Sequence, residues 1–143
     1  MAMSPLAFTY MFLKAQFFAK ISTPTGDFSN ETIIVTGSNT GLGLEAARHL
    51  VRLGAAKVIL AVRTMSKGEA AAADIVESCN VSRSTVEVWE LDMADPESIK
   101  AFAARASELE RLDAAILNAG LMTFKWSETK GIENHIAVNV IGR

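Results

Sequence analysis

The β-branched run Ile33-Ile34-Val35 leads into Thr36-Gly37-Ser38-Asn39-Thr40-Gly41-Leu42-Gly43, and a helical pattern begins at Leu42. A buried strand, a glycine loop and a helix, in that order, constrain the fold more than any other stretch of the chain. Gly37 permits a tight turn, and Gly41 lets backbone amides approach a pyrophosphate with no Cβ in the way. Gly43 lets the helix pack close to the sheet. The helix start then offers free N–H groups and a partial positive charge to phosphates. An ordinary glycine turn is the plainer alternative, but the strand–loop–helix context favours a phosphate cradle.

The pattern continues as strand and helix in alternation. Leu42 to Leu53 reads as a helix stopped by Gly54, and Val58 to Val62 as a second buried strand. Ser66 and Glu69 have capping-box spacing before a helix that runs through Val76. Val86 to Leu91 is a third strand, and Asp95-Pro96 a cap followed by proline at the first helical position. Ile99, Phe102, Ala103, Ala106 and Leu109 form the apolar stripe of the next helix. Ala114 to Leu117 is a fourth strand, and Ile132, His135, Ile136, Asn139 and Val140 share one face of a last helix. Such alternation implies an α/β fold, a doubly wound parallel sheet covered on both faces. Thr23 to Asn30 is turn-rich, so the organisation is an apolar segment and linker over residues 1–30 and a half-domain over 31–143.

Composition narrows the function. Half the residues are apolar and 21% are charged, which excludes a disordered chain. A net charge of −2 leaves no basic face for a nucleic acid. Cys79 is the single cysteine, and His49 and His135 are the two histidines, so neither a disulfide framework nor a metal site is expected. Leu6 to Ala19 is apolar and aromatic but carries Lys14 and Gln16, and it is shorter than the roughly 20 residues that span a bilayer. It is expected to pack on the domain or to be partly disordered, with a membrane-surface role for residues 6–19 as the alternative. The glycosylation patterns at Asn30 and Asn80 read as chance, because no secretory signal precedes them.

The loop spacing is TGxxxGxG, not GxGxxG. With TGSNTGLGLEAARHL, VILAVR and KGEAA, the chain resembles the short-chain dehydrogenase/reductase family from about Thr32 to Gly142. It looks most like the retinol-dehydrogenase-like branch and its fungal relatives. The resemblance implies a Rossmann-type sheet, truncated here after about four strands, and NAD(P)-dependent interconversion of a carbonyl and an alcohol. It places Gly37, Ser38, Asn39, Thr40, Gly41, Leu42 and Gly43 against the cofactor.

Arg63 stands 20 residues beyond Gly43, where an NAD site usually has a carboxylate for the ribose. A guanidinium pairs with a 2′-phosphate, so NADP is expected over NAD, carried by Arg63 with Lys67 nearby. Thr40 occupies the family's other basic position. The plain alternative is a surface arginine closing a strand. The resemblance further implies that Asp92 accepts from the adenine amino group and Met93 follows it with a backbone contact. Asn118-Ala119-Gly120 matches the family's NAG motif, and Asn139 its tetrad asparagine. A structural amide tied to backbone is the other reading of Asn139, and His135 reads as an ordinary half-buried helix residue.

The family's serine and Tyr-x-x-x-Lys follow the fourth strand, and no counterpart stands in these residues. Tyr10 and Lys14 fit the text pattern but precede the first strand, so they carry no catalytic expectation. The chain is therefore expected to be a cofactor-binding half, catalytically incompetent alone, of an enzyme acting on a small carbonyl or alcohol. The rival readings are a non-catalytic NADPH-binding or regulatory module, and a scaffold fragment that needs a partner chain. A cytoplasmic location, with or without membrane association, and a homo-oligomer both agree with this reading.

Overall fold

The computed structural model describes residues 4–18 and 23–142. Two strands with almost no water-accessible side chain sit at the centre: β1 (Thr32–Thr36) and β2 (Lys57–Val62). Their β-branched and aliphatic residues suit a sheet covered on both faces. β3 (Val86–Glu90) pairs with β2, and β4 (Ala114–Ile116) pairs with β1, giving the order β3-β2-β1-β4 with every pair parallel. The order reverses between β1 and β4, so a topological switch point lies there.

The strand period of two sorts the core onto two faces. Ile33, Val35, Val58, Leu60 and Val62 meet Ala47, Leu50 and Val51 of α2 (Gly41–Arg52) and Ala71, Ala72 and Ile75 of α3 (Met65–Cys79). Ile34, Ile59, Ala61 and Trp89 face the other way, toward Ile99, Phe102 and Ala106 of α4 (Pro96–Ser107). Each fully buried aliphatic side chain contributes about 1.5–3 kcal/mol. Trp89 anchors the second face: Phe102 meets it edge-on at 5.6 Å, and the Arg105 guanidinium lies 4.0 Å from its ring centre. Arg48 is buried between α2 and α3, where it donates to Asp74 at 2.7 Å, to Glu45 and to Ser78.

β4 departs from the expectation of a buried strand. It is an edge with all three residues exposed, because no described element covers its outer side. An apolar groove opens beside it, between α4 and β4, lined by Ile34, Ile99, Phe102, Leu112 and Leu117.

Three expectations need correction. Ser66 and Glu69 do not form a capping box: α3 begins at Met65, one residue before Ser66, and Glu69 instead pairs with Arg83 at 2.6 Å. Ile132 is not helical. It belongs to a hairpin of β5 (Glu128–Thr129) and β6 (Ile132–Glu133). Lys130 and Gly131 have φ of 53° and 80°, so the turn is one whose two central residues are both left-handed. The last helix, α5, covers Asn134–Ile136 and widens into a π-type turn over Ala137–Ile141. Its Ile136 and Val140 face solvent, while Ala137 is buried and Val138 packs on the Trp89 cluster.

The N-terminal segment does form a helix, α1 (Pro5–Phe18). It does not pack on the domain as expected: Leu6, Phe8, Tyr10, Met11, Phe12, Leu13, Phe17 and Phe18 are all exposed. Apolar residues lie all round this helix, so no single stripe exists to seat it on a surface. Ala19, at the end of the expected segment, lies outside the described residues. Among the described residues no helix is long and apolar enough to cross a membrane.

Candidate functional site

The carboxyl ends of four parallel strands meet at the switch point and form one open cleft. Thr36, Gly37, Asn39, Ala61, Arg63, Leu91, Asp92, Met93, Ala119, Gly120, Leu121 and Val138 line it. The apolar groove beside β4 is larger, about 390 Å³ against about 200 Å³, but it offers scarcely any polar group to orient a ligand. Mixed polar and apolar lining marks the cleft as the site.

The glycine loop is built from backbone inward. Gly37 has φ +65°, and a Cβ there would stand 2.9 Å from the Ala119 backbone. A Cβ on Gly43 would come within 2.5 Å of Asn118 Nδ2 and 2.6 Å of the Gly37 carbonyl oxygen. The loop, the start of α2 and the end of β4 are thus locked by contacts that exclude a side chain. Ser38 is fully buried and its hydroxyl donates to the Val35 carbonyl at 2.8 Å, so its side chain braces the turn. Around Gly41 nothing lies within 4 Å of where a Cβ would stand, and Thr40, Gly41 and Leu42 are exposed at the outer bend.

The N-terminus of α2 lacks a side-chain cap. Thr40 occupies the cap position in an extended conformation without a capping bond, and no acidic residue lies in the first turn. By contrast, Asp95 caps α4 by accepting from the Glu97 amide at 3.2 Å. Unpaired first-turn amides and the positive end of the helix dipole suit an anion.

Asn118 reaches back under the loop. Its Nδ2 donates to the carbonyls of Thr36 at 3.1 Å and Gly37 at 3.3 Å. The Thr36 hydroxyl, itself buried, accepts from the Ala119 amide at 3.0 Å. Asn118 therefore braces the floor, while Ala119 and Gly120 line the cleft. Asp92 lines it too. One carboxylate oxygen accepts from the Ala94 amide at 2.9 Å, and the Asp92 amide donates to Ser98 Oγ at 2.9 Å.

Arg63 stands exposed on the cleft rim, and among the described residues it makes no ion pair or hydrogen bond. Arg48, Arg83, Arg105 and Arg111 are all engaged elsewhere. Lys67 lies on the first turn of α3 and does not line the cleft. Asn139 does not line it either. Its amide pairs with Leu121 at both ends, Oδ1 accepting from the Leu121 amide and Nδ2 donating to the Leu121 carbonyl, each at 2.8 Å. Tyr10 and Lys14 sit on exposed α1 and line no part of the cleft.

Sequence reasoning missed Thr36, Ala61, Leu91, Leu121 and Val138 as lining residues. Leu91 and Leu121 directly neighbour motif residues, which was the available signal. Val138 comes in only through the way α5 docks.

The short chain dehydrogenase family model matches residues 31–143, covering the whole cleft. The chain belongs to the short-chain dehydrogenase family. It is 52% identical over 124 residues to the short chain dehydrogenase atnD of Emericella nidulans, an alignment covering 87% of this chain and 39% of that protein. It is 48% identical over 131 residues to the short chain dehydrogenase/reductase dmxR8 of a Cryptosporiopsis species, covering 91% and 40%. The chain thus spans about two fifths of the length of these relatives. Among solved structures, a short-chain dehydrogenase from Sphingobium yanoikuyae in complex with NADPH superposes with TM-score 0.67 at 27% identity. That match covers 79% of this chain and 44% of the other. A metagenomic short-chain oxidoreductase in complex with NADP gives 0.68 at 30% identity, covering 82% and 53%. The Rossmann-type α/β sheet of this oxidoreductase family is therefore the fold of this chain.

Proposed function

We propose that this short-chain dehydrogenase chain supplies the NADP(H) site of an enzyme that interconverts a carbonyl and an alcohol. The observation that carries the reading is the cleft itself: an uncapped helix start and glycine loop on one side, and an unpaired arginine on the rim. The loop amides and the α2 dipole would hold the pyrophosphate. Arg63 would pair with the 2′-phosphate, from the position where an NAD site usually carries a carboxylate. Asp92 has one carboxylate oxygen engaged locally and keeps acceptor capacity for an adenine amino group. Asn118 and Thr36 hold the floor rigid beneath the loop. The cofactor, when bound, supplies or accepts the hydride. The NADPH and NADP complexes of the similar solved structures support the choice of cofactor.

Calorimetry on the purified chain tests this. NADPH is expected to bind more tightly than NADH, and Arg63→Asp to erase that preference by about tenfold or more, the value of a charged hydrogen bond. Absence of heat with both cofactors overturns the reading, and an unchanged ratio in Arg63→Asp overturns the role of Arg63.

General acid–base work needs a proton donor within hydrogen-bond reach of the reacting oxygen. The chain's single tyrosine, Tyr10, is on α1, away from the cleft lining. The exposed β4 edge favours a second statement about the chain by itself: it binds the dinucleotide, and another polypeptide segment must bring the acid–base groups. NADPH-dependent carbonyl reduction by these residues alone, abolished in Tyr10→Phe, would overturn that statement.

A further inference from the structure

His135 faces two partners that together leave its ring a single protonation pattern. Nε2 lies 3.0 Å from the Thr123 amide nitrogen, and Nδ1 lies 2.6 Å from Glu133 Oε1. A backbone N–H can only donate, so Nε2 must accept. The ring proton of the neutral imidazole therefore sits on Nδ1 and donates to the carboxylate. Glu133 holds the arrangement from the start of the helix, where its Oε2 accepts from the Ile136 amide at 3.1 Å. One helical turn further on, Asn139 grips both backbone groups of Leu121. His135 and Asn139 thus share a helix face, at i and i+4, and hold alternate residues of one irregular stretch. Between and beyond the gripped residues, Met122 and Phe124 are turned fully outward, at 87% and 101% exposure. The same stretch carries the cleft-lining Gly120 and Leu121, and α5 itself contributes Val138 to the cleft.

We propose that His135, held as its Nδ1–H tautomer by Glu133, is a positioning residue that latches Thr123 and, with Asn139, sets the backbone that carries the cleft-lining Gly120 and Leu121. An irregular strand exit has no ladder partner of its own, so its amides need side-chain acceptors to keep one shape. Loss of the imidazole would leave the Thr123 amide unpaired and free the backbone one residue beyond Asn139's grip. The link to the cleft rests on the dinucleotide reading; the latch does not.

NMR of the full 143-residue chain, labelled with nitrogen-15, tests the latch. The expected signature is a His135 ring that carries its proton on Nδ1 and leaves Nε2 as the acceptor. His135→Ala is expected to speed hydrogen exchange at the Thr123 amide by about tenfold or more, the value of one lost hydrogen bond, and to leave Val35 in β1 unchanged. His135→Gln keeps an acceptor and is expected to restore part of the protection. A wild-type ring protonated on Nε2, or unchanged Thr123 exchange in His135→Ala, overturns the latch. Should the alanine variant not fold, the wild-type tautomer and the glutamine variant decide it. The positioning role is read in NADPH affinity, expected to fall several-fold in His135→Ala and to recover in His135→Gln; an unchanged affinity overturns that role. Failure of the wild-type chain to bind NADPH counts instead against the proposed function, and the NMR measurements still judge the latch.

Discussion

Asn118 has the polarity its place requires, and that place makes it sensitive to the smallest chemical change. Both of its hydrogen bonds to the loop are donations from Nδ2, so Asn118→Asp keeps the shape and removes the donor. It also sets a carboxylate against two carbonyl oxygens. The expected cost is about 1–3 kcal/mol, read as a lower urea midpoint, with weaker NADPH binding. Gly43 is constrained by space instead. A methyl at that position meets Asn118 and the Gly37 carbonyl well inside contact distance. Gly43→Ala is expected to cost about 1–3 kcal/mol of overpacking, again seen in both the midpoint and the cofactor affinity.

At the scale of elements, two helices of equal length start in opposite ways. α4 begins with Asp95, which caps it and also pairs with Lys130 of the hairpin turn at 2.5 Å. Asp95→Ala is expected to lower stability by about 1 kcal/mol and to leave NADPH binding unchanged. α2 begins without a capping bond. Thr40→Asp would supply a cap and a favourable charge, so the unliganded chain is expected to melt at a higher temperature. The same carboxylate would stand where a pyrophosphate binds, so NADPH affinity is expected to fall. Opposite movements of melting temperature and affinity would identify the α2 start as the phosphate site; a rise in both would refute it.

For the molecule as a whole, carboxylates tie the elements to one another. Lys57 on β2 holds the Glu87 carboxyl on β3 below its usual range, with help from Trp89. The Thr32 amide at the start of β1 lowers Asp113 just before β4, and Arg111 adds to it. Lys130 lowers Asp95, and His135 lowers Glu133. A carboxyl whose value is depressed in the folded state adds stability above its unfolded value of 3.8 or 4.5. That contribution fades as pH falls through the depressed folded value. Urea midpoints are therefore expected to drop below about pH 4.5, and Glu87→Gln to flatten part of the slope. The exposed β4 edge and its apolar groove add an association hazard, which a charge such as Ala115→Lys is expected to reduce in light scattering.

Much of this was legible in the residues because it is local. The run Ile33-Ile34-Val35 specifies a strand buried on both faces, and Gly37 to Gly43 specifies a turn that only glycines can make. The spacing to Arg63 and the Asp95-Pro96 start of α4 follow from the same short-range rules. The bracing role of Asn118 and the strand-end cleft were also within reach, because parallel strands bring their carboxyl ends to one edge. The β5–β6 hairpin was hidden because Lys130 is not a residue that ordinarily takes a left-handed turn position. The failure of Ser66 to cap α3 was hidden because the helix began one residue early. Tertiary contacts alone decided which faces of α5 turn inward, that Asn139 grips Leu121, and that His135 is clasped between Glu133 and Thr123. Side-chain acceptors choose among backbone donors by proximity in space, and residues 123 and 135 carry no periodic signal that they meet.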